Sequence, residues 1–148
     1  MMEFLLFLHI LLFMFSFAFT AGISIFSARV IRTGDAKTIH AVFRAARPLS
    51  IAGGIGWILT AIAGAALARM YGFDMTAPWL LCSYVAFAVL ILTGFLLHSP
   101  WQARVLAASA SPGPDFEALL HAPVHRIASG LSAASVLALI YLMTARPG

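Results

Sequence analysis

Long apolar runs, separated by short polar connections, dominate the sequence. Four runs come close to the roughly 20 residues that a helix needs to cross a bilayer. They cover residues 4–25, 49–67, 78–97 and 127–143. The pattern predicts an all-α membrane protein, in which residues 1–148 form one domain built as a bundle of four transmembrane helices.

Two of the connections are predicted to contain helices of their own. In the first connection Asp35 is a suitable N-cap, and the helix after it has one apolar face, formed by Ile39, Val42, Phe43 and Ala46. We expect this short helix to lie along the membrane interface. In the third connection the turn-forming residues 111–114 precede a short helix over residues 115–121, which ends near Pro123.

Composition strengthens this interpretation. Hydrophobic residues make up 62% of the chain and charged residues only 9%, with a mean hydropathy of +0.99, whereas an ordinary soluble domain has about 25% charged residues. Too few polar side chains are present to cover a water-exposed surface. A soluble globular enzyme is therefore excluded, and the lipid bilayer is the main partner. Cys82 is the only cysteine, so no intrachain disulfide forms.

The positive charges predict the orientation in the membrane. Of the nine Lys and Arg residues, seven lie in the first and third connections: Arg29, Arg32, Lys37, Arg44, Arg47, Arg104 and Arg126. Short loops rich in Lys and Arg stay on the cytoplasmic side. We therefore expect a multi-pass protein of a bacterial-type inner membrane with both termini on the outer side. The charges form no dense basic run, and no nucleic-acid partner is expected.

A polar stripe runs along the first span. Its members are separated by 7, 4 and 7 residues, which places them all within about 20° of the first member, His9, around a helix. They are His9, Ser16, Thr20 and Ser27. Polar groups in an apolar span face the bundle interior, where they find hydrogen bonds, and an ionisable group at that depth often marks function. His9 therefore forms either an interhelical hydrogen bond or a ligand contact.

A seam of small residues runs along the second span at intervals of four. Its members are Ala52, Gly56, Thr60, Gly64 and Ala68. Small side chains let a neighbouring helix backbone approach closely. The neighbour is expected to be another helix of the same chain, with a membrane-protein partner or a second copy as the alternative.

The remaining histidines fall on the predicted cytoplasmic side. His98 ends the third span and His125 opens the fourth, so we expect the two at similar depth on adjacent helices, as a bis-histidine haem b or a metal site would require. The alternative is an ordinary interfacial role for both. On the outer side, His9 accompanies five methionines, a set that suits copper(I); these are Met1, Met2, Met70, Met75 and Met143. Packing at helix ends is the competing explanation for the methionines.

Sequence features of catalysis are missing from the spans. None of the four runs contains Asp, Glu or Lys, which argues against a proton relay or an ion-coupled transporter. The sequence contains no phosphate loop and no HExxH motif. We therefore assign no catalytic residue and expect a non-catalytic protein.

Four short segments resemble a family of four-helix predicted integral membrane proteins, domain of unknown function 2269. They are FLHI in the first span, RTGDA in the first connection, MTAPWLLCSY at the third span and YLMTARPG at the C-terminus. More distantly, the layout is similar to HemJ-type protoporphyrinogen oxidases and CopD-type copper resistance domains. His9 matches the first-span histidine of the HemJ type. Ser83 stands where that type has a lysine, which argues against porphyrinogen oxidation and leaves haem or porphyrin binding through His9 open.

These observations lead to two main functional hypotheses. The first is an accessory or interaction subunit of a membrane complex, based on the small-residue seam and the lack of buried catalytic groups. The second is a b-type haem or porphyrin-binding protein that uses His9, or the pair His98 and His125. Copper handling is a weaker third alternative.

Overall fold

The computed structural model describes residues 1–146, and in this part of the chain all regular elements are helical. The helices are α1 (Met2–Ile31), α2 (Ala36–Met70), α3 (Pro78–Thr93), α4 (Ser99–Ala110), α5 (Phe116–Leu120) and α6 (Pro123–Ala145). A π-helical segment, Gly94–His98, joins α3 to α4 without a break. We refer to it as the π segment.

Four helical stretches are long and apolar enough to cross a membrane, which confirms the predicted fold class. They are Met2–Ile31, Ala36–Met70, Pro78–Ala110 and Phe116–Ala145. Large apolar side chains point outward along them: Phe4, Val85 and Leu137 are each more than 60% exposed. Such a surface is stable only in contact with lipid.

Helices α1 and α2 pack as one hairpin, and α3 packs mainly against α6. The contact between α1 and α2 depends on glycines of α2. A Cβ atom added to Gly53 would lie 3.3 Å from the Cβ of Phe19, and one added to Gly56 would overlap the Ser16 hydroxyl. The seam of small residues is therefore used within the chain, where it brings the two backbones together.

The helix predicted after Asp35 is present, but it is the beginning of α2 rather than a separate interfacial element. Asp35 caps it by accepting a hydrogen bond from the Thr38 N–H at 3.0 Å. The helix then runs through Pro48 into the second span. Ile39 and Phe43 on its apolar face are buried against α4 and α5 instead of lying on lipid.

A compact cluster of side chains closes this end of the bundle, which we call the loop end. Its buried members are Val30, Ile31, Ile39, Phe43, Trp101, Val105, Phe116 and Leu120. The Trp101 indole N–H donates to the Leu119 carbonyl at 3.2 Å, and the His40 ring lies 3.2 Å from the Ser109 hydroxyl. The cluster ties the short helix α5 to α4 and to the beginning of α2.

The third span is longer than the sequence indicated, because the helix does not end at residue 97 but continues to Ala110. In the π segment the Ser99 N–H donates to the Gly94 carbonyl, five residues earlier. Pro100 follows directly, and a proline ring inside a regular α-helix clashes with the carbonyl four residues before it. The wider turn accommodates Pro100, and π segments of this kind are frequent at functional sites.

Candidate functional site

The polar stripe of α1 lies against α2. Ser16 is fully buried and Ser27 is 2% exposed. Thr20 accepts a hydrogen bond at 3.0 Å from the indole N–H of Trp57. His9, at the opposite end of the stripe from Ser27, contacts the Thr60 backbone of α2.

The hydrogen bond of His9 determines which ring nitrogen carries the proton. Its Nδ1 lies 2.9 Å from the carbonyl oxygen of Thr60. A carbonyl only accepts, so Nδ1 must donate, and the neutral ring keeps its lone pair on Nε2. Among the described residues, Nε2 has no hydrogen-bond partner. This is the arrangement of a metal-ligating histidine, whose second nitrogen is held by a backbone carbonyl.

Gly64 determines where the His9 ring lies. A Cβ atom at this position would be 2.9 Å from Cε1 of His9 and 3.4 Å from its Nδ1. Any side chain there would push the ring away from α2 and break its hydrogen bond to Thr60. Two members of the predicted seam, Thr60 and Gly64, therefore position a member of the predicted stripe.

His9 lines a cavity of about 420 Å³ at the end of the bundle that carries both termini. We call it the His9 cavity. Its volume is within the usual range for small-molecule sites. The walls are mainly aromatic and aliphatic, and the aromatic ones are Phe13, Tyr71, Phe73, Trp79, Tyr84 and Phe87. A flat apolar ligand is compatible with such a lining.

One cation lines the same cavity. The Arg146 guanidinium carbon lies 5.0 Å from the ring centroid of Phe73 and 6.0 Å from that of Trp79. Stacking on aromatic rings is favourable for a guanidinium and leaves its N–H groups available to a carboxylate or phosphate. The cavity therefore combines an apolar interior, a free imidazole nitrogen and a positive charge.

Ser83 lies in the lining of this cavity together with His9. Its hydroxyl donates to the Trp79 carbonyl at 2.7 Å, one turn earlier on α3, and the residue is 1% exposed. The nearby Tyr84 hydroxyl donates to the sulfur of Met75 at 3.8 Å. The structure thus brings together the two positions that the sequence comparison with the HemJ type singled out.

The structure also brings together His98 and His125. Their ring centroids are 5.5 Å apart, and His125 stacks on the buried Trp101 at 4.1 Å. Haem binding by this pair stays a prediction, as does a ligand role for His9.

The methionines of the predicted copper set lie at the same end as His9. Met75 and Met143 pack against Ala68, Trp79 and Leu80, whereas Met1 is 97% exposed. Between residues 1 and 146, no three His, Cys, Asp or Glu side chains gather closely enough to hold a metal ion. Packing of helix ends accounts for the positions of Met75 and Met143.

Two carboxylates outside the spans have a lowered pKa. For Asp35 the causes are hydrogen bonds from the Thr38 hydroxyl and then from its N–H. For Asp74 the causes are the hydroxyl and N–H of Thr76. Both groups are capping or turn residues of the connections, so they stabilise local structure and lie outside the His9 cavity.

Sequence reasoning identified His9 but missed most of its surroundings. Tyr71, Tyr84 and Arg146 come from three different connections or spans, and no spacing links them to His9. The only sequence signal for a neighbour of His9 was Ser83, through the resemblance to the HemJ type. A cavity between helices arises from how the spans pair, which periodicity within one span does not encode.

Comparisons with known proteins agree with the architecture. No curated protein and no solved structure matches the chain. One family model matches residues 3–147, nearly the whole sequence, and its description is "Predicted integral membrane protein (DUF2269)". With four membrane-spanning helices and a match of this extent, the chain belongs to the DUF2269 family of predicted integral membrane proteins.

Proposed function

We propose that this protein binds haem b, or a closely related porphyrin, in the His9 cavity. The observation that carries the proposal is the hydrogen bonding of the His9 ring. Its Nδ1–H is held by the Thr60 carbonyl, and its Nε2 lone pair is without a partner among the described residues, beside an apolar cavity of about 420 Å³. A histidine that would bind haem iron needs this combination of a fixed tautomer and a free nitrogen.

The rest of the lining fits the ligand. Aromatic side chains such as Phe13 and Phe87 suit the faces of a porphyrin, and Arg146 supplies a cation for its carboxylates. Bound haem would supply one-electron chemistry. The chain's own contribution is to hold the imidazole of His9 through Thr60 and Gly64 and to surround the ligand with apolar side chains.

The location of the cavity follows from the charge rule. With seven of nine Lys and Arg residues in the first and third connections, we infer that both termini and the His9 cavity lie at the outer side of a bacterial-type inner membrane. The cavity then opens at the interface opposite the cytoplasm. A haem bridging His9 and His98 is not part of the proposal, because these residues lie at opposite ends of the bundle.

An absorption spectrum tests the proposal. The protein is purified in mild detergent from haem-replete cells and reconstituted with haemin. We expect a Soret band and near one haem per chain. Replacing His9 with Leu should abolish the band without preventing insertion, because the change makes the span more apolar. In His9→Ala, added imidazole should restore the Soret band, which would show that the cavity itself is intact.

His98→Leu and His125→Leu are the matched controls, since each removes one histidine from the other end of the bundle. Both should retain the Soret band. A protein that stays colourless after reconstitution would overturn haem binding. Loss of the band in either control, with His9→Leu unaffected, would move the site to the loop end.

The accessory-subunit hypothesis has less support than the sequence suggested. The seam that motivated it faces α1 of the same chain, through Gly56 and Gly64. Native sizing after mild-detergent extraction tests this role separately. A second membrane protein that co-purifies in fixed ratio would support an accessory role, and a strictly monomeric particle would contradict it.

A further inference from the structure

A second cavity, of about 290 Å³, lies toward the loop end of the bundle and is distinct from the His9 cavity. We call it the Arg47 cavity. Residues of α1, α2, the π segment, α4 and α6 line it. The haem proposal makes no use of this cavity.

Two helices provide hydrogen-bond donors at one side of the Arg47 cavity. Arg47 and Ser50 are three residues apart on α2, and Ser99 and Gln102 are three residues apart on α4, so each pair shares a helix face. Helices α2 and α4 contact each other. A guanidinium, two hydroxyls and an amide therefore converge on one cavity.

These donors are not used within the described part of the chain. Ser16, Ser83 and Ser109 donate to carbonyls of their own helices, whereas none of the four donors has a hydrogen-bond partner in residues 1–146. Ser129, also in the lining, has a buried hydroxyl oxygen without a partner. Arg47 and Ser99 are exposed and Ser50 and Gln102 half-buried, so these four donors are available to a ligand, whereas the buried Ser129 hydroxyl calls for a ligand or water.

The charge of the cavity is positive. Its lining contains Arg47 and no Asp or Glu. Arg47 forms no ion pair with any described residue. A guanidinium flanked by hydroxyl and amide donors matches the oxygens of a phosphate group.

The other wall of the cavity is apolar and reaches the outer surface of the bundle. Ile51 and Ile55 follow Arg47 by one and two turns on α2, toward the middle of the span, and are 57% and 52% exposed. Phe95 of the π segment lines the same wall and is 56% exposed. A ligand with a phosphate near Arg47 would therefore extend an apolar tail along α2 into the bilayer.

We propose that the Arg47 cavity binds the headgroup of an anionic phospholipid, with its first acyl segment along Ile51 and Ile55. By the charge rule this end of the protein faces the cytoplasm, so the lipid comes from the inner leaflet. The π segment contributes by placing His98 and Ser99 at the cavity wall. A net-neutral phosphatidylcholine is disfavoured, because its quaternary ammonium group would lie near Arg47.

Thermal unfolding in detergent tests the proposal, since a ligand that binds only the folded state raises the melting temperature. Dioleoyl-phosphatidylglycerol should stabilise the wild type in a saturable way, and dioleoyl-phosphatidylcholine should not. Arg47→Gln should weaken the apparent affinity for phosphatidylglycerol at least tenfold. Gln102→Leu, which removes a donor of α4 on the same side of the cavity, should weaken it as well and serves as the second variant if Arg47→Gln folds poorly.

Arg44→Gln is the matched control. Arg44 is exposed one turn earlier on α2 and does not line the cavity, so its loss removes the same charge from the same membrane surface. It should change the affinity by less than twofold. An equal loss in Arg44→Gln and Arg47→Gln would show general surface attraction and overturn the proposal.

Two further results would also overturn it. Equal stabilisation by phosphatidylglycerol and phosphatidylcholine would show that the headgroup charge is not recognised. Equal stabilisation by glycerol phosphate, which has no acyl chains, would point to a soluble phosphate ligand instead of a lipid. His9→Leu should leave the response to phosphatidylglycerol unchanged, which separates this site from the haem proposal.

Discussion

At the scale of single residues, His9 shows how a polar group is accommodated inside an apolar span. The His9 ring needs a carbonyl that accepts its proton and enough space beside α2. The Thr60 carbonyl oxygen accepts the proton, 2.9 Å from Nδ1, and the missing side chain of Gly64 leaves the space. A measured interhelical hydrogen bond in a membrane is worth about 1 kcal/mol or less, so positioning of the ring matters more here than its contribution to stability.

The first prediction concerns Gly64. In Gly64→Ala the new methyl group meets the His9 ring, which must leave the Thr60 carbonyl, and we expect a loss of about 1–3 kcal/mol of stability together with reduced haem occupancy. Gly130→Ala on α6 is the control, because its Cβ meets nothing within 4 Å; it should be neutral or stabilising. Reversible unfolding in mixed micelles measures both. Equal stability of the two variants would contradict the close approach of α1 and α2.

A second prediction concerns the pH dependence of the α2 cap. The pKa of Asp35 is lowered from its ordinary value of 3.8 by the Thr38 hydroxyl and N–H. The lowered folded-state pKa means that Asp35 contributes stability above pH 3.8, and this contribution disappears as the pH falls through the folded-state pKa.

Melting temperatures between pH 7 and pH 2.5 measure this contribution. Asp35→Asn keeps a capping side chain without a titrating group, so the difference between wild type and Asp35→Asn should shrink or reverse in acid. Because Asp74 is present in both proteins, its own titration cancels. A difference independent of pH would mean that the Asp35 charge plays no part in the cap.

At the scale of elements, α2 combines two environments in one helix. Its first three turns pack Ile39 and Phe43 into the loop-end cluster, and the turns after Pro48 pack glycines against α1. The sequence pattern of residues 36–47 is amphipathic, which is equally typical of a helix on a membrane surface. The difference lies in what covers the apolar face, and here α4 and α5 cover it.

The third prediction separates these two environments. Ile39→Ala should lower the free energy of unfolding by about 2–5 kcal/mol, because the side chain is completely buried. Ile62→Ala removes the same atoms from a residue of the same helix that is 61% exposed to lipid, and it should change stability by about 0.5 kcal/mol or less. A denaturation assay measures both variants. Equal losses of stability in Ile39→Ala and Ile62→Ala would indicate that residues 36–47 lie on the membrane interface and are not covered by α4 and α5.

At the scale of the whole molecule, the bundle has two unlike ends. The end with the termini contains the His9 cavity, and the loop end contains the Arg47 cavity. The two connections at the loop end carry most of the positive charge. With four spans, the two ends of the bundle lie toward opposite sides of the membrane, and each cavity lies toward one end.

The fourth prediction tests this orientation with a single-cysteine strategy. In a Cys82→Ser background, Thr76→Cys labels the connection between α2 and α3, and Ser111→Cys labels the one between α4 and α5. Both positions are exposed. A membrane-impermeant thiol reagent should modify Thr76→Cys in intact cells and Ser111→Cys only after permeabilisation. The reverse pattern would place the termini and the His9 cavity in the cytoplasm.

The sequence by itself determined the fold class, the number of spans and the separate positions of several key residues. Twenty apolar residues in a row have only one stable state in lipid, a helix, because no water is present to satisfy the backbone. Periodicity within that helix then placed His9, Ser16 and Thr20 on one face. The Asp35 cap was also readable, since capping depends on residues within one turn.

Tertiary structure alone decided how these helices meet. Nothing in the chain's periodicity shows that Gly64 lies under the His9 ring, that Arg146 lines the same cavity, or that Arg47 and Gln102 face a common space. These contacts join residues that are far apart in sequence. Which spans pair depends on the summed packing of whole helix faces, and the cavities lie where that packing is incomplete.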